Sequence, residues 1–216
     1  MKKILAALCT LLLAGAGCMS ASSQRDAPYE SATSVSTTKA RGVEPVEITA
    51  LLGFPLDRAQ ERVTKKPFGL YVTPKTSPVS PERFSGYHVG VDFETFEDEQ
   101  DRDVVVLAVC DGTLVLKKVS DGYGGVAVQQ CLLEKRPVTV VYGHLRFASI
   151  TASVGDVLKR GDPLGVLGKG SSAETDGERK HLHLGLHEGT DVTVRGYVQS
   201  KTEMGPWLDA RLYFPL

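Results

Sequence analysis

Lys180-His181-Leu182-His183-Leu184-Gly185-Leu186-His187 is the stretch on which the reading of the fold turns. Leucine fills the even positions from 182 to 186, while three of the chain's five histidines stand at odd positions. Alternation with period two over this length predicts a half-buried β-strand. Side chains two residues apart on a strand share a face, so His181 and His183 project side by side. Two imidazoles so placed can share a small site, one binding a metal while the other handles a proton. The plain alternative is a surface strand with satisfied histidines, because a zinc site draws further ligands from elsewhere in a chain.

The remaining composition narrows the function classes. A chain of 216 residues holds one domain or two small ones, with mass enough for a sizeable core. A formal net charge of -1 gives no basic footprint for a nucleic-acid partner. Beyond the first residues no apolar run is long enough for a transmembrane helix. Glycine is plentiful and helical periodicity scarce, which favours a β-rich domain with many turns.

Residues 1–17 have the pattern of a targeting segment: Lys2 and Lys3, then an apolar run from Ile4 to Ala14, then Gly15-Ala16-Gly17 before Cys18. This resembles a bacterial lipoprotein signal, in which Cys18 becomes the lipidated first mature residue; Gly15 departs from the Leu, Val or Ile usual there. An ordinary secretory signal with a nearby cleavage site is the alternative. Lipidation implies a tether to a membrane surface without a span. Residue 19 is Met rather than Asp, so resemblance to diderm lipoproteins implies a periplasmic protein anchored to the outer membrane. Residues 18–45, rich in Ser, Thr, Ala and charge, read as a disordered tether, and residues 46–216 as the folded domain. Cys9 leaves with the signal. Cys110 and Cys131 then remain in an oxidising compartment, where either a disulfide or two buried thiols is open.

Along the domain, His88–Phe93 reads as a short strand and Glu94–Asp103 as a solvated acidic loop. Strands at Asp103–Val109 and Thr113–Val119 suggest a hairpin turning at Asp111-Gly112. Ser120–Gly125 is a glycine-rich turn; without a following Lys-Ser/Thr or helix it is no phosphate loop. Val126–Leu132 and Val138–His144 form a further pair of strands, Leu164–Leu167 another short one, and Gly168–Lys180 a polar loop leading into the His181 strand. Trp207, Tyr213 and Phe214 read as packing that closes the domain. Short strands and turns at this spacing suggest an antiparallel sheet or sandwich.

Partners for the His181/His183 pair are found in two other segments. His88 and Asp92 lie four apart in Gly86-Tyr87-His88-Val89-Gly90-Val91-Asp92, on one face of a strand, with Gly90 able to bend both toward one point. His144 ends the apolar run in Val141-Tyr142-Gly143-His144-Leu145. Neutral imidazoles and a carboxylate are suitable zinc ligands, and three of them leave a position for water, whose pKa the ion lowers.

His-x-x-x-Asp, then Tyr-Gly-His-Leu, then His-Leu-His, in this order and at these intervals, resembles the M23 family of zinc metallopeptidases, the lysostaphin- or LytM-type peptidoglycan endopeptidases. The resemblance covers roughly Phe68 to Glu188. It implies a mainly β fold, a two-layer antiparallel β-sheet or sandwich of the duplicated hybrid motif type. It also implies Zn²⁺ as cofactor with His88, Asp92 and His183 as ligands, and His144 and His181 as catalytic groups, base and stabiliser in either order. His187 has no counterpart in the motif and is left with at most a distal place in the groove. The run Thr175-Asp176-Gly177-Glu178-Arg179-Lys180 is longer than the Gly-x-His-Leu-His form common in the family. The implied substrate is a stem or crosslink peptide of peptidoglycan, a D-Ala to diaminopimelate crosslink being favoured in a diderm cell. A non-catalytic or gated regulator of other wall hydrolases, answering to an unknown activator protein, is the alternative; every expected ligand position is filled, which argues for the enzyme. A metal-dependent hydrolase acting on another exported substrate, such as a protein, is a second alternative; a storage or structural zinc site is disfavoured, because three ligands with an open position suit catalysis better than a closed site.

Overall fold

The structure is a computed structural model that describes residues 51–215. The export signal, Cys18 and the proposed tether lie outside the described residues. Twelve short strands carry the fold: β1 (Tyr71–Val72), β2 (Gly86–His88), β3 (Gly90–Glu94), β4 (Val105–Leu107), β5 (Gly112–Ser120), β6 (Gly124–Leu133), β7 (Arg136–Leu145), β8 (Val157–Leu158), β9 (Pro163–Val166), β10 (His181–Glu188), β11 (Tyr197–Val198) and β12 (Trp207–Leu208). One helical turn, α1 (Lys201–Met204), precedes the last of them. All pairings are antiparallel. The fold is mainly β, as the sequence predicts.

The largest sheet runs β12-β10-β7-β6-β5-β8, with β3 also on β10. β10 is its functional centre: β7 lies along one edge, while β3 covers His181–Gly185 of the other edge and β12 pairs there with Leu186 and His187. Leu182, Leu184 and Leu186 are fully buried and point into the main core with Val91, Phe93, Val140 and Tyr142. Their odd-numbered neighbours are buried too: His181 and His183 are only 2% and 3% exposed. β10 is thus covered on both faces, not the half-buried strand its alternation suggests. The histidine face is roofed by the small β1-β2-β11 sheet and by a second apolar cluster holding Tyr123, Val141, Val198 and Trp207.

Three local expectations change. The run Asp103–Val109 does not make a hairpin with Thr113–Val119. β4 pairs with β9 instead, and the Leu107 and Ala108 amides donate to the carbonyls of Pro55 and Asp162. β5 turns through Ser120–Gly124 to pair with β6, so the glycine-rich turn, not Asp111-Gly112, is the hairpin. His88–Phe93 is not one strand; it breaks at Val89, whose amide donates to the Gly196 carbonyl at 3.0 Å. The acidic stretch is solvated only in part. Glu94 and Glu99 are buried, because each faces an arginine: Arg179 for Glu94 and Arg62 for Glu99.

Trp207 is buried, and Phe214 packs on Phe54 and Phe93 with ring centroids 5.5 and 6.1 Å away. Cys110 and Cys131 are joined as a disulfide with Cα atoms 6.2 Å apart, in a place where Gly112 lies opposite Cys131 in the β5–β6 register. Replacing both cysteines by alanine is expected to lower stability by about 2–4 kcal/mol through loss of the cross-link in the unfolded chain. Urea unfolding of wild type under oxidising conditions beside the variant measures it; coincident midpoints contradict the expectation.

Candidate active site

The site is written in the cross-strand register of three strands. His183 on β10 lies directly opposite Asp92 on β3 and, across its other edge, opposite Gly143 on β7. His181 follows the same pleat two residues earlier. His144, next after Gly143, has φ of 63°. A positive φ in a bulky residue other than glycine marks a backbone held away from its ordinary conformation. His88 comes from the other sheet, at the end of β2, where Tyr197 of β11 is its partner. The break at Val89 is what lets His88 and Asp92 converge.

Two glycines make this packing possible. At Gly90 an added Cβ would run into the His183 imidazole and the Leu184 carbonyl, and at Gly143 into the ring of Tyr123. Gly90→Ala is accordingly expected to displace the His183 ring and to cost on the order of 1–3 kcal/mol through overpacking. A thermal melt of the metal-free variant indistinguishable from that of wild type contradicts this.

His88, Asp92 and His183 form a tight triangle. Their nearest ligand-type atoms all lie within 4.8 Å of one another. The His88 Nε2 to His183 Nδ1 distance is 3.0 Å, and both nitrogens are 3.1 Å from Asp92 Oδ1. The His88 Nδ1 atom faces the Pro67 carbonyl at 3.2 Å. A carbonyl only accepts, so Nδ1 carries the proton and Nε2 turns a lone pair into the triangle. The second carboxylate oxygen has different company: Asp92 Oδ2 accepts from Arg179 Nη2 at 2.8 Å and lies 3.3 Å from His181 Nε2. By the same logic His181 Nδ1, 2.9 Å from the Arg179 carbonyl, holds its proton there and leaves Nε2 toward the site.

His144 stacks obliquely on His181, with centroids 4.2 Å apart, and its buried Nδ1 has no partner among the described residues. Tyr123 packs against both His144 and His183, with centroids 5.2 and 5.3 Å away. The five predicted residues therefore meet in one place. They line a cavity of about 290 Å³ whose walls also include Phe84, Tyr123, Arg179 and Tyr197. Phe84 and Tyr197 stack at 5.4 Å, and Lys66 Nζ donates to the Tyr197 hydroxyl at 2.8 Å. His187 does not reach this cavity. It packs edge-on against Trp207, with centroids 4.8 Å apart, because β12 covers that end of β10.

Burial dominates the electrostatics. It pushes His183 down to about 4 despite the hydrogen bond to Asp92. It also pushes His144 well below the ordinary histidine range, aided by the charge of His181 when protonated. For Asp92 burial alone would raise the pKa, but the charge that His88 and His181 carry when protonated, with a hydrogen bond from His183, holds it well below the usual carboxylate range. His183 is thus neutral and Asp92 ionised at neutral pH, the states a metal requires.

Arg179, Glu94, Tyr123, Lys66 and Tyr197 escape the sequence reading. Only Tyr123 carries a local signal, an aromatic set among glycines in Asp121-Gly122-Tyr123-Gly124-Gly125; the others are brought in by tertiary contacts.

The model of peptidase family M23 matches residues 86–194, over half of the chain, and spans all five site residues. The chain belongs to peptidase family M23. No curated protein matches it significantly. Among solved structures, one chain of the SpoIIQ–SpoIIIAH pore forming complex is 16% identical, with 76% of this chain and 90% of that chain covered and a TM-score of 0.52. The catalytic domain of lysostaphin from Staphylococcus simulans is 18% identical over 72% of this chain and 94% of its own, with a TM-score of 0.49. A zinc containing peptidase from Vibrio cholerae is 20% identical over 65% of this chain and 40% of its own, with a TM-score of 0.41. At these identities the likeness is one of fold. Within this M23 domain the motif residues, far apart in sequence, occupy one cavity.

Proposed function

We propose that this M23 member is a zinc-dependent endopeptidase that cleaves crosslink or stem peptides of bacterial peptidoglycan, exported and held at the outer membrane by a lipid on Cys18. The observation that carries the proposal is the triangle of His88 Nε2, Asp92 Oδ1 and His183 Nδ1, with His181 and His144 on the same cavity.

The donor set fits zinc. Lone pairs of an imidazole and a carboxylate facing each other at 3.1 Å repel unless a cation or proton lies between them. Tetrahedral zinc with bonds of about 2.0–2.2 Å has ligand–ligand edges of about 3.3–3.6 Å, a small expansion of the distances here. His88, Asp92 and His183 would hold the ion. When bound, it would supply Lewis acidity, polarising the scissile carbonyl and making a water nucleophilic near neutral pH.

The other groups divide the proton work. His181, its Nδ1 proton committed to the Arg179 carbonyl, presents a basic Nε2 to the cavity and fits the general base. His144, kept neutral by burial, fits a hydrogen-bond donor to the oxygen on which charge develops. The Phe84–Tyr197 stack offers an apolar wall against which a peptide backbone can lie. A complete donor set also favours an enzyme over a non-catalytic regulator.

The test is digestion of purified sacculi by the full-length chain in detergent, with muropeptides separated chromatographically and zinc measured in the same samples. Conversion of crosslinked dimers to monomers, lost on chelation and restored by zinc, is expected. Zinc binding with every muropeptide unchanged removes the endopeptidase reading in favour of a regulator.

A further inference from the structure

The two carboxylate oxygens of Asp92 face different surroundings. Oδ1 looks into the triangle, and Oδ2 is taken by Arg179 Nη2 at 2.8 Å. The same guanidinium forks onto Glu94, with Nη2 to Oε1 at 2.6 Å and Nε to Oε2 at 3.0 Å. The Arg179 main-chain carbonyl meanwhile receives His181 Nδ1. Its placement is braced on both sides. Glu178 before it pairs with Arg83 at 2.9 Å. Lys180 after it donates to the carbonyls of Glu99, Gln100 and Arg102 at 2.8, 3.2 and 2.6 Å. The Arg179 side chain is 21% exposed, so its pairing with two carboxylates is only partly screened.

Resting on the metal reading proposed above, we infer that Arg179 is a positioning residue that fixes which oxygen of Asp92 faces the metal and which nitrogen of His181 faces the cavity. The long Thr175–Lys180 run is then part of the site's machinery, since it delivers this arginine. Glu94 has a supporting part: it holds the guanidinium so that only Nη2 reaches Asp92. Groups that hydrogen-bond to metal ligands control ligand orientation and basicity, and their loss weakens metal binding. Lysine is a poor substitute, because a single ammonium lacks the planar fork that serves two carboxylates at once.

The test compares full-length wild type, Arg179→Lys and Arg179→Met, purified in detergent. It reads zinc affinity by competition with a chromophoric chelator, the visible absorption of the cobalt-substituted proteins, and melting of the metal-free forms. Arg179→Met is expected to lose about 10–100-fold in zinc affinity and to change the cobalt spectrum as Asp92 becomes free to rotate, with Arg179→Lys between it and wild type. A purely structural arginine would shift the metal-free melting point and leave the cobalt spectrum alone. Zinc affinity in Arg179→Met within about twofold of wild type, with an unchanged cobalt spectrum, overturns the inference. Where Arg179→Met does not fold, Arg179→Lys decides by the same readouts. A wild type that binds no zinc defeats the metal reading itself, a distinct result, and this inference falls with it.

Discussion

His183→Ala is expected to lose zinc and peptide cleavage together, whereas His181→Ala keeps zinc and loses about 10²–10⁴-fold in kcat. The contrast follows from where the two imidazoles point. His183 Nδ1 sits 3.0 Å from His88 Nε2 and 3.1 Å from Asp92 Oδ1, so its removal opens the triangle. His181 reaches only the other oxygen of Asp92, at 3.3 Å, and borders the cavity. Zinc content by elemental analysis and turnover of a crosslinked muropeptide separate the two variants. Retention of stoichiometric zinc by His183→Ala would refute the assignment of ligands.

The largest effect on stability is expected far from the cavity mouth, at the Arg62–Glu99 pair. Arg62 is 1% exposed and forks onto Glu99 with contacts of 2.6 and 2.8 Å, while its remaining donors reach the carbonyls of Asp57 and Glu94. Glu99→Gln leaves that guanidinium buried without its counter-charge and is expected to cost about 3–5 kcal/mol. The pair also sets an acid limit. Hydrogen bonds from Arg62, against the opposing effect of burial and with help from the Phe96 amide, hold Glu99 at about 2 rather than the usual 4.5. A carboxylate depressed on folding contributes its stability in full above the unfolded pKa and loses it as pH falls through the folded one. The contribution, roughly 3 kcal/mol, is thus expected to disappear between about pH 4.5 and 2, and Glu99→Gln lacks this part of the slope. Denaturation midpoints measured across that interval check both statements; parallel pH profiles for the two proteins would contradict the second.

What the sequence reveals of this molecule depends on the distance over which each determinant acts. Alternation in residues 181–187 and the apolar runs of β6 and β7 are local, and they locate the central strands directly. The five site residues are legible through the three motifs and the family they resemble; the register that carries His183 against Asp92 and Gly143 is visible only in the structure. β4 is misread because its choice between β5 and β9 depends on distant carbonyls at Pro55 and Asp162, which leave no mark on its own sequence. Glu94 and Glu99 look solvated for the same reason: the arginines that make their burial tolerable are 85 and 37 residues away. Arg179 lies two residues from His181 and is still invisible as a functional group, since its meaning comes from Asp92 and Glu94 across the sheet.

The break at Val89 puts His88 in the three-stranded sheet and Asp92 with His183 in the large one. An ion gripped by all three is therefore a rivet through two plates. The work of binding it is shared between coordination and clamping the β1-β2-β11 plate against its neighbour, and anything that pries that plate outward loosens the ion. If the proposed metal is held there, stripping it is expected to be felt first as faster amide exchange at Tyr87 and Val198 rather than in the leucine core.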